Sequence, residues 1–360
     1  MVSSFSLLCI SLVSACQGDV EHALGPTTPQ LSSQASKFRR YQPVPVGQAV
    51  TTLPEPYDPV KDGPLAVYVP SPSEFAKSKR IIVPPGRRHG PTGSTMFESP
   101  ALGGPDPLGH HNRGKYIAET NPHHLAGVYS VNDAGLDISI SDYELVNSGA
   151  MSVTIYAPTN YSAGGACLEA TTIHQRVTNQ ATTQHYQGFW DWCTNQNAIG
   201  TSEFITSWHQ PNIDLTDAGV ANSYIRTMST GKPSLLVQVL STSPSNPTGG
   251  CWQGLLYNFL TAQWTNVTGS ICGSSQTGTG TIGWTMYEDY NYNTCTSIPG
   301  VRASSIVTLG TDGTWYGEYI SGWNDIYGSR NDSCFGKGTW GFNAPSSDGA
   351  NAWHAYTPGS

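Results

Sequence analysis

The chain has 360 residues, of which only 12% are charged, while Gly (39), Trp (10) and Tyr (18) are plentiful. An average soluble domain is roughly 25% charged, and this chain's aromatics offer too much apolar surface for a chain disordered throughout. Ala, Glu, Lys and Leu do not dominate, which excludes a coiled coil, and a net charge of −8 leaves no general basic footprint for nucleic acid.

Residues 4–15, SFSLLCISLVSA, are a short apolar stretch ending in small residues before Cys16. Residues 1–16 therefore read as an export leader, since no apolar run reaches the roughly 18 residues of a membrane-spanning helix. Val13-Ser14-Ala15-Cys16 resembles a bacterial lipobox, which makes Cys16 a lipidation candidate and a lipid anchor one of the expected partners. Ordinary signal cleavage near Cys16 is the other reading, because no Lys or Arg precedes Lys37. Either way the expected location is secreted or cell-surface.

Composition changes near residue 119. Residues 1–119 carry 11 Lys and Arg against 9 Asp and Glu, so +2, and residues 120–360 carry 6 against 16, so −10. Residues 17–119 are Pro-rich, with one helix candidate at 73–79 and a short strand and turn at Ile81-Ile82-Val83-Pro84-Pro85-Gly86-Arg87-Arg88. This basic, loosely structured segment reads as a propeptide or a linker. As a propeptide it would dock on the acidic part and inhibit it.

Residues 120–360 read as strands throughout. Leu136, Ile138 and Ile140 alternate with polar residues, and so do Met151, Val153 and Ile155. Leu235 to Leu240 is continuously apolar except for Gln238. Ile282, Trp284, Met286, Glu288 and Tyr290 fall on one face of a strand, and residues 315–320 form another. Helical periodicity is confined to short pieces around 216–228. Many strands with close turn signals, and no internal repeat, predict an all-β fold: an antiparallel two-sheet β-sandwich.

Outside the leader remain six cysteines, Cys167, Cys193, Cys251, Cys272, Cys295 and Cys334, none in a CxxC pair. An even set in an exported chain predicts three disulfides, and sequential pairing is the expectation. Asn160, Asn266 and Asn331 head glycosylation sequons, usable only in a eukaryotic host.

Carboxylates set among aromatics carry the candidate chemistry. Glu169 lies in Cys167-Leu168-Glu169-Ala170-Thr171, Asp191 in Phe189-Trp190-Asp191-Trp192, and Glu288 in Trp284-Thr285-Met286-Tyr287-Glu288-Asp289-Tyr290. A carboxyl beside apolar rings is desolvated and becomes an acid or base useful near mild pH. Two of them close together would share one proton, leaving one charged and one neutral. The bland alternative for each is an ordinary strand carboxylate.

Those three stretches resemble the glutamic peptidases of the eqolisin and neprosin families. Residues 167–171 resemble the strand with the first catalytic residue, Gln in eqolisins and Glu in neprosins. Residues 284–290 resemble the Trp-x-x-x-Glu strand with the second. Residues 124–128 and 149–153 are similar to the start of the neprosin domain. The tryptophan-rich neighbourhood usual after the first Glu is replaced here by Thr171-Thr172-Ile173. The resemblance implies a jelly-roll or concanavalin-like sandwich over residues 120–360. It also implies an acid-active endopeptidase that acts on polypeptides, with Glu169 and Glu288 catalytic and no cofactor. Asp191, Trp190 and Trp284 would support the pair, and neprosin likeness hints at cleavage after proline.

Other motifs are weak. His110-His111 and His123-His124 lack a companion carboxylate at ligand spacing, so they read as loop and imply no metal site. Gly-x-Ser-x-Gly, the P-loop and His-Glu-x-x-His do not occur. A secreted carbohydrate-binding sandwich uses the same aromatics, and a glycoside hydrolase uses the same two carboxylates.

Overall fold

A computed structural model describes residues 43–59, 61–68, 110–117, 126–143, 152–161, 168–178, 180–191, 213–229, 231–245, 251–272, 282–290, 300–317, 324–327, 341–343 and 352–357. Strands are numbered in chain order, and among the described residues they form two sheets, neither closed into a barrel. The first runs β1 (Ala66–Val67), β11 (Gln263–Asn266), β10 (Cys251–Asn258), β9 (Pro233–Ser241), β3 (Gly127–Asp133), β14 (Val301–Leu309), β18 (Trp353–Tyr356) and β17 (Gly341–Asn343). Three short strands extend it: β8 (Arg226–Thr227) on β9, β12 (Ile271–Cys272) on β10 and β15 (Trp315–Gly317) on β14. The second sheet runs β16 (Asn324–Tyr327), β2 (His110–Ile117), β13 (Ile282–Tyr290), β4 (Ser152–Tyr161), β5 (Leu168–Val177), β6 (Gln184–Asp191) and β7 (Ile213–Asp214). Every pairing is antiparallel except β1 with β11.

Alternation decides what each strand buries. Val153, Ile155, Leu168, Ala170, Phe189 and Ile213 of the second sheet share one buried cluster with Val128, Val237, Val239, Trp252, Leu256, Val301 and Trp353 of the first. Phe189 lies against Gly254, where an added Cβ would come within 2.5 Å of the ring's Cε1 and 2.9 Å of Thr268 Cγ2. Asn160 of β4 donates from Nδ2 to Ser130 Oγ of β3 at 2.9 Å, and that hydroxyl donates to Asn132 Oδ1 at 2.6 Å, all three groups buried. These bonds offset much of the cost of burying the three side chains, although Asn132 Nδ2 is buried without a partner.

β9 is buried on both faces, which accounts for its continuous apolar run. Its other face, with Leu236 and Leu240, joins Tyr129, Val131, Leu255, Tyr257 and Leu309 in a second cluster. Val44, Val50, Leu53, Tyr57 and Leu65 from the N-terminal part pack on it. Described residues on both sides of the compositional step near residue 119 belong to the same two sheets. β1 adds to one sheet, β2 lies inside the other, and residues 41–360 form one compact unit. His110 and His111, read from sequence as loop, begin β2 and pair with Tyr290 and Asp289.

One predicted strand is not a strand. Ile138 and Ile140 are buried as their alternation implies, but Gly135 (φ 56°) turns the chain and Ile138 N–H donates back to the Gly135 carbonyl at 3.0 Å. Side chains then replace a ladder: Ile140 N–H donates to Thr183 Oγ1 at 2.8 Å, and Arg176 donates to the Ile140 carbonyl at 2.7 Å. The expected helix is α1 (Ala218–Tyr224), capped by Asp217, whose carboxylate accepts from the Gly219 and Val220 amides. The segments at 73–79 and 81–88 lie outside the described residues.

Cys251 and Cys272 are bonded and sit opposite each other on β10 and β12. Cys16, Cys167, Cys193, Cys295 and Cys334 lie outside the described residues. The bridge closes a loop with a sequence separation of 21. A loop of that size removes about 3 kcal/mol of unfolded-state entropy in the chain-closure account. Cys251→Ser with Cys272→Ser should lower the urea unfolding free energy by about that much; a change under about 1 kcal/mol would mean that the β10–β12 pairing holds without the bond.

Two of the three sequons are not available to a glycan. Asn160 is wholly buried in the trio above, and Asn266 is buried with its Oδ1 accepting from the Thr268 and Gly269 amides. Asn331 lies outside the described residues.

A buried carboxylate gives the first sheet a pH dependence. Asp133, at the end of β3, accepts from Ser234 Oγ at 3.3 Å and lies 3.8 Å from Arg302 Nε. Burial pushes its carboxyl up to about 6, against the pull of Arg302 and Lys232. Between the ordinary value near 4 and about 6, the folded chain holds a proton that the unfolded chain has lost, so stability falls as pH rises through that window. Asp133→Asn carries no such proton. Its unfolding free energy relative to wild type should therefore rise by about 3 kcal/mol between pH 3.5 and 7. A gap that does not change with pH would show that Asp133 ionises in the folded chain as it does in the unfolded one, with Arg302 cancelling the effect of burial.

Candidate functional site

Glu169 is the second residue of β5 and Glu288 the seventh of β13, with only β4 between those strands. Residues directly opposite in an antiparallel pair project from the same face. Glu288 is opposite Tyr156 on β4, and Tyr156 is opposite Ile173 on β5. Ile173 and Glu169 are four apart on one strand, so both glutamates belong to the same face of the second sheet. Leu168 and Ala170 supply the cluster shared with the first sheet, so the glutamates are on the face turned away from it.

That face is covered at β5. Glu169, Thr171 and Ile173 have no solvent exposure and Gln175 has almost none. The tryptophan-poor run Thr171-Thr172-Ile173 is thus interior, and the Thr172 hydroxyl donates to Gln187 Oε1 on β6 at 3.3 Å. Between Tyr156 and Thr159, β4 carries a register shift at the level that separates the glutamates. Such bulges re-aim side chains and recur beside active sites.

The register also fixes how far apart the two positions are. Glu288 is level with Ile173, not with Glu169. The offset is four residues along β5, about 13 Å, and two strand spacings, about 10 Å, across the sheet. Two carboxyls share a proton only when they approach to about 3 Å. A proton-sharing pair, expected from sequence, is not what these backbone positions favour.

The supporting residues divide. Trp190 is opposite Glu169 on β6 and takes the glutamate face. Asp191 is opposite Leu168, one position along the same ladder. Trp284 sits on β13 beside the irregularity between Ile282 and Thr285, where alternation is reset. Sequence reasoning missed Asn112, which pairs directly with Glu288 from β2. Its only signal was position in a stretch rich in His, Arg and Lys, which reads as loop.

A second constellation was also missed. His174 and His185 are opposite each other on β5 and β6, buried, with their Nδ1 atoms 2.9 Å apart. Burial holds both below the ordinary imidazole range, with His185 a further factor for His174, so they are neutral at pH 7. Gly135 is where this ring packs, since a Cβ there would lie 2.5 Å from His174 Cε1. Among the described residues no group of three or more His, Cys, Asp or Glu is placed to hold a metal ion, and no helix is long and apolar enough to cross a membrane.

No protein-family model and no curated protein matches the chain. The functional reading therefore rests on the residues and their register.

Proposed function

We propose that this chain is an exported, acid-active endopeptidase of the glutamic type on a two-sheet β-sandwich. The observation that carries the reading is the register that gives Glu169 and Glu288 one face of one sheet, a single strand apart. The resemblance to eqolisins and neprosins rests on the same two residues. For the sandwich, support comes from the cluster drawn from both sheets and from the Asn160–Ser130 bond between them.

In this reading Glu288, ionised, takes a proton from a water held between the two positions. The resulting hydroxide adds to the scissile carbonyl, and the carbonyl oxygen takes the negative charge. Glu169, entering protonated, donates a hydrogen bond to that oxygen and then gives its proton to the leaving amine as the C–N bond breaks. Glu288 ends protonated and Glu169 ionised, and one proton passes between them through solvent to reset the site. For both carboxyls to reach one water and one peptide bond, the two side chains must close much of the offset between their backbone positions. Cleavage after proline and anchoring through Cys16 are further parts of the proposal.

Glu169 is fully buried in the whole chain, so a polypeptide reaches it only after the covering chain is moved or removed. Activity is accordingly expected after incubation at acidic pH and not before. The test is full-length protein, exported and acid-treated, assayed on an unfolded polypeptide from pH 2 to 7 alongside a glycan-binding screen. Acid-dependent cleavage supports the reading. Glycan binding without cleavage would replace it with the carbohydrate-binding one, in which the buried Tyr186, opposite Ile173, would have to uncover its ring.

A further inference from the structure

We infer that residues 43–68 are a permanent strap on the first sheet, one that stays bound when the chain is cut after it. This does not depend on the peptidase reading. The strap lies on the face of β9, β3 and β10 turned away from the shared cluster, where Leu236, Leu240 and Leu255 have no solvent exposure. Val50 is buried there, and Val44, Leu53, Tyr57 and Leu65 are half-buried on the same cluster.

Its backbone is tied at both ends. Val44 N–H donates to the Phe259 carbonyl at 2.9 Å, Val50 N–H to Thr227 at 2.9 Å, and Tyr68 N–H to Asn266 at 3.0 Å. In the middle, Gln238 replaces a strand. Its Oε1 accepts from Tyr57 N–H at 3.0 Å and its Nε2 donates to the Tyr57 carbonyl at 2.8 Å. That explains the one polar residue in the apolar run of β9. Trp264 Nε1 donates to the Glu55 carbonyl at 3.0 Å, and Arg226 Nε donates to Val44 at 2.9 Å with its guanidinium over the Phe259 ring. Stripping the strap would leave the Gln238 amide and Trp264 indole without these partners and expose three leucines. Unpaired buried polar groups and newly exposed apolar side chains both cost free energy, which opposes release.

The contacts named here are amide, indole, guanidinium and apolar ones, none of which titrates between pH 3 and 7. Within the strap, Asp58 Oδ2 accepts from the Lys61 ammonium and Asp62 Oδ2 accepts from the Asp58 amide. The strap therefore holds by packing, not by the opposite charges read from the sequence, and acid alone does not release it. It also occupies the sheet that lacks the two glutamates.

The test uses the whole chain with Arg87-Arg88 replaced by a specific protease site, folded first and cut afterwards. Size exclusion at pH 7 and pH 4 is followed by denaturing electrophoresis of each peak. The expected result is one N-terminal fragment per body in a single peak at both values, separating only in guanidinium. Tyr57→Asp with Leu53→Asp, also cut after folding, should shed the fragment. Wild-type fragment eluting alone at pH 7, or released at pH 4 with the body still folded, overturns the proposal. So would a Tyr57→Asp, Leu53→Asp chain that keeps its fragment, because the contacts named would then not be the ones that hold it.

Discussion

Glu288→Gln should lower the rate of acid-dependent cleavage by roughly 10²–10⁴-fold while leaving the melting temperature unchanged. That is the range by which a positioned acid or base accelerates proton transfer. The amide keeps the size and hydrogen-bonding reach of the carboxylate but takes up no proton, so water is no longer activated. Glu169→Gln should behave differently. It retains a donor for the oxyanion and loses only the proton for the leaving amine, and eqolisins carry Gln at the position it resembles. A smaller loss is expected, together with disappearance of the limb of the pH profile that reports a protonated acid. Because the two positions are offset along the sheet, each variant should remove one limb and leave the apparent pKa of the other in place. If either substitution moves the remaining limb by a full unit, the carboxyls lie close enough to interact, and the spacing argued from register is too long. Equal activity in wild type and both variants ends the glutamic reading.

What the sequence revealed follows from which contacts are local. β4, β5 and β9 were legible because each faces the interior on one or both sides, so burial writes period two or a continuous apolar run into the chain. Glu169 and Glu288 could be placed on strand faces for the same reason. Which strand lies between them, and their offset, come from long-range pairing that no local pattern encodes. β2 and the strap were missed for opposite reasons. β2 is rich in charged and imidazole side chains although it is interior to its sheet, and the strap's apolar residues are spaced irregularly among prolines, with a ladder only at the two residues of β1. The alternation at Leu136–Ile140 misled because Thr183 and Arg176, distant in sequence, satisfy a backbone that would otherwise need a neighbouring strand.

The packing of the two sheets makes the second large prediction. Phe189 of β6 is 3% exposed and rests where Gly254 of β10 has no side chain. Phe189→Ala removes most of a buried ring and leaves a cavity, so it should cost about 3–5 kcal/mol of unfolding free energy. Gly254→Ala should also destabilise, by about 1–3 kcal/mol, because its new methyl would press into both the Phe189 ring and the Thr268 methyl. These two losses must not add. With the ring gone, the Gly254→Ala methyl enters vacated space and regains contacts that the cavity had forfeited, so the double variant should be no less stable than Phe189→Ala alone. A double-mutant cycle in urea measures this directly, with a coupling of at least about 1 kcal/mol expected for residues in contact. Additive losses would mean that β6 and β10 do not face each other across the shared cluster. The sandwich would then fail with them, and with it the assignment of the glutamates to an outward face.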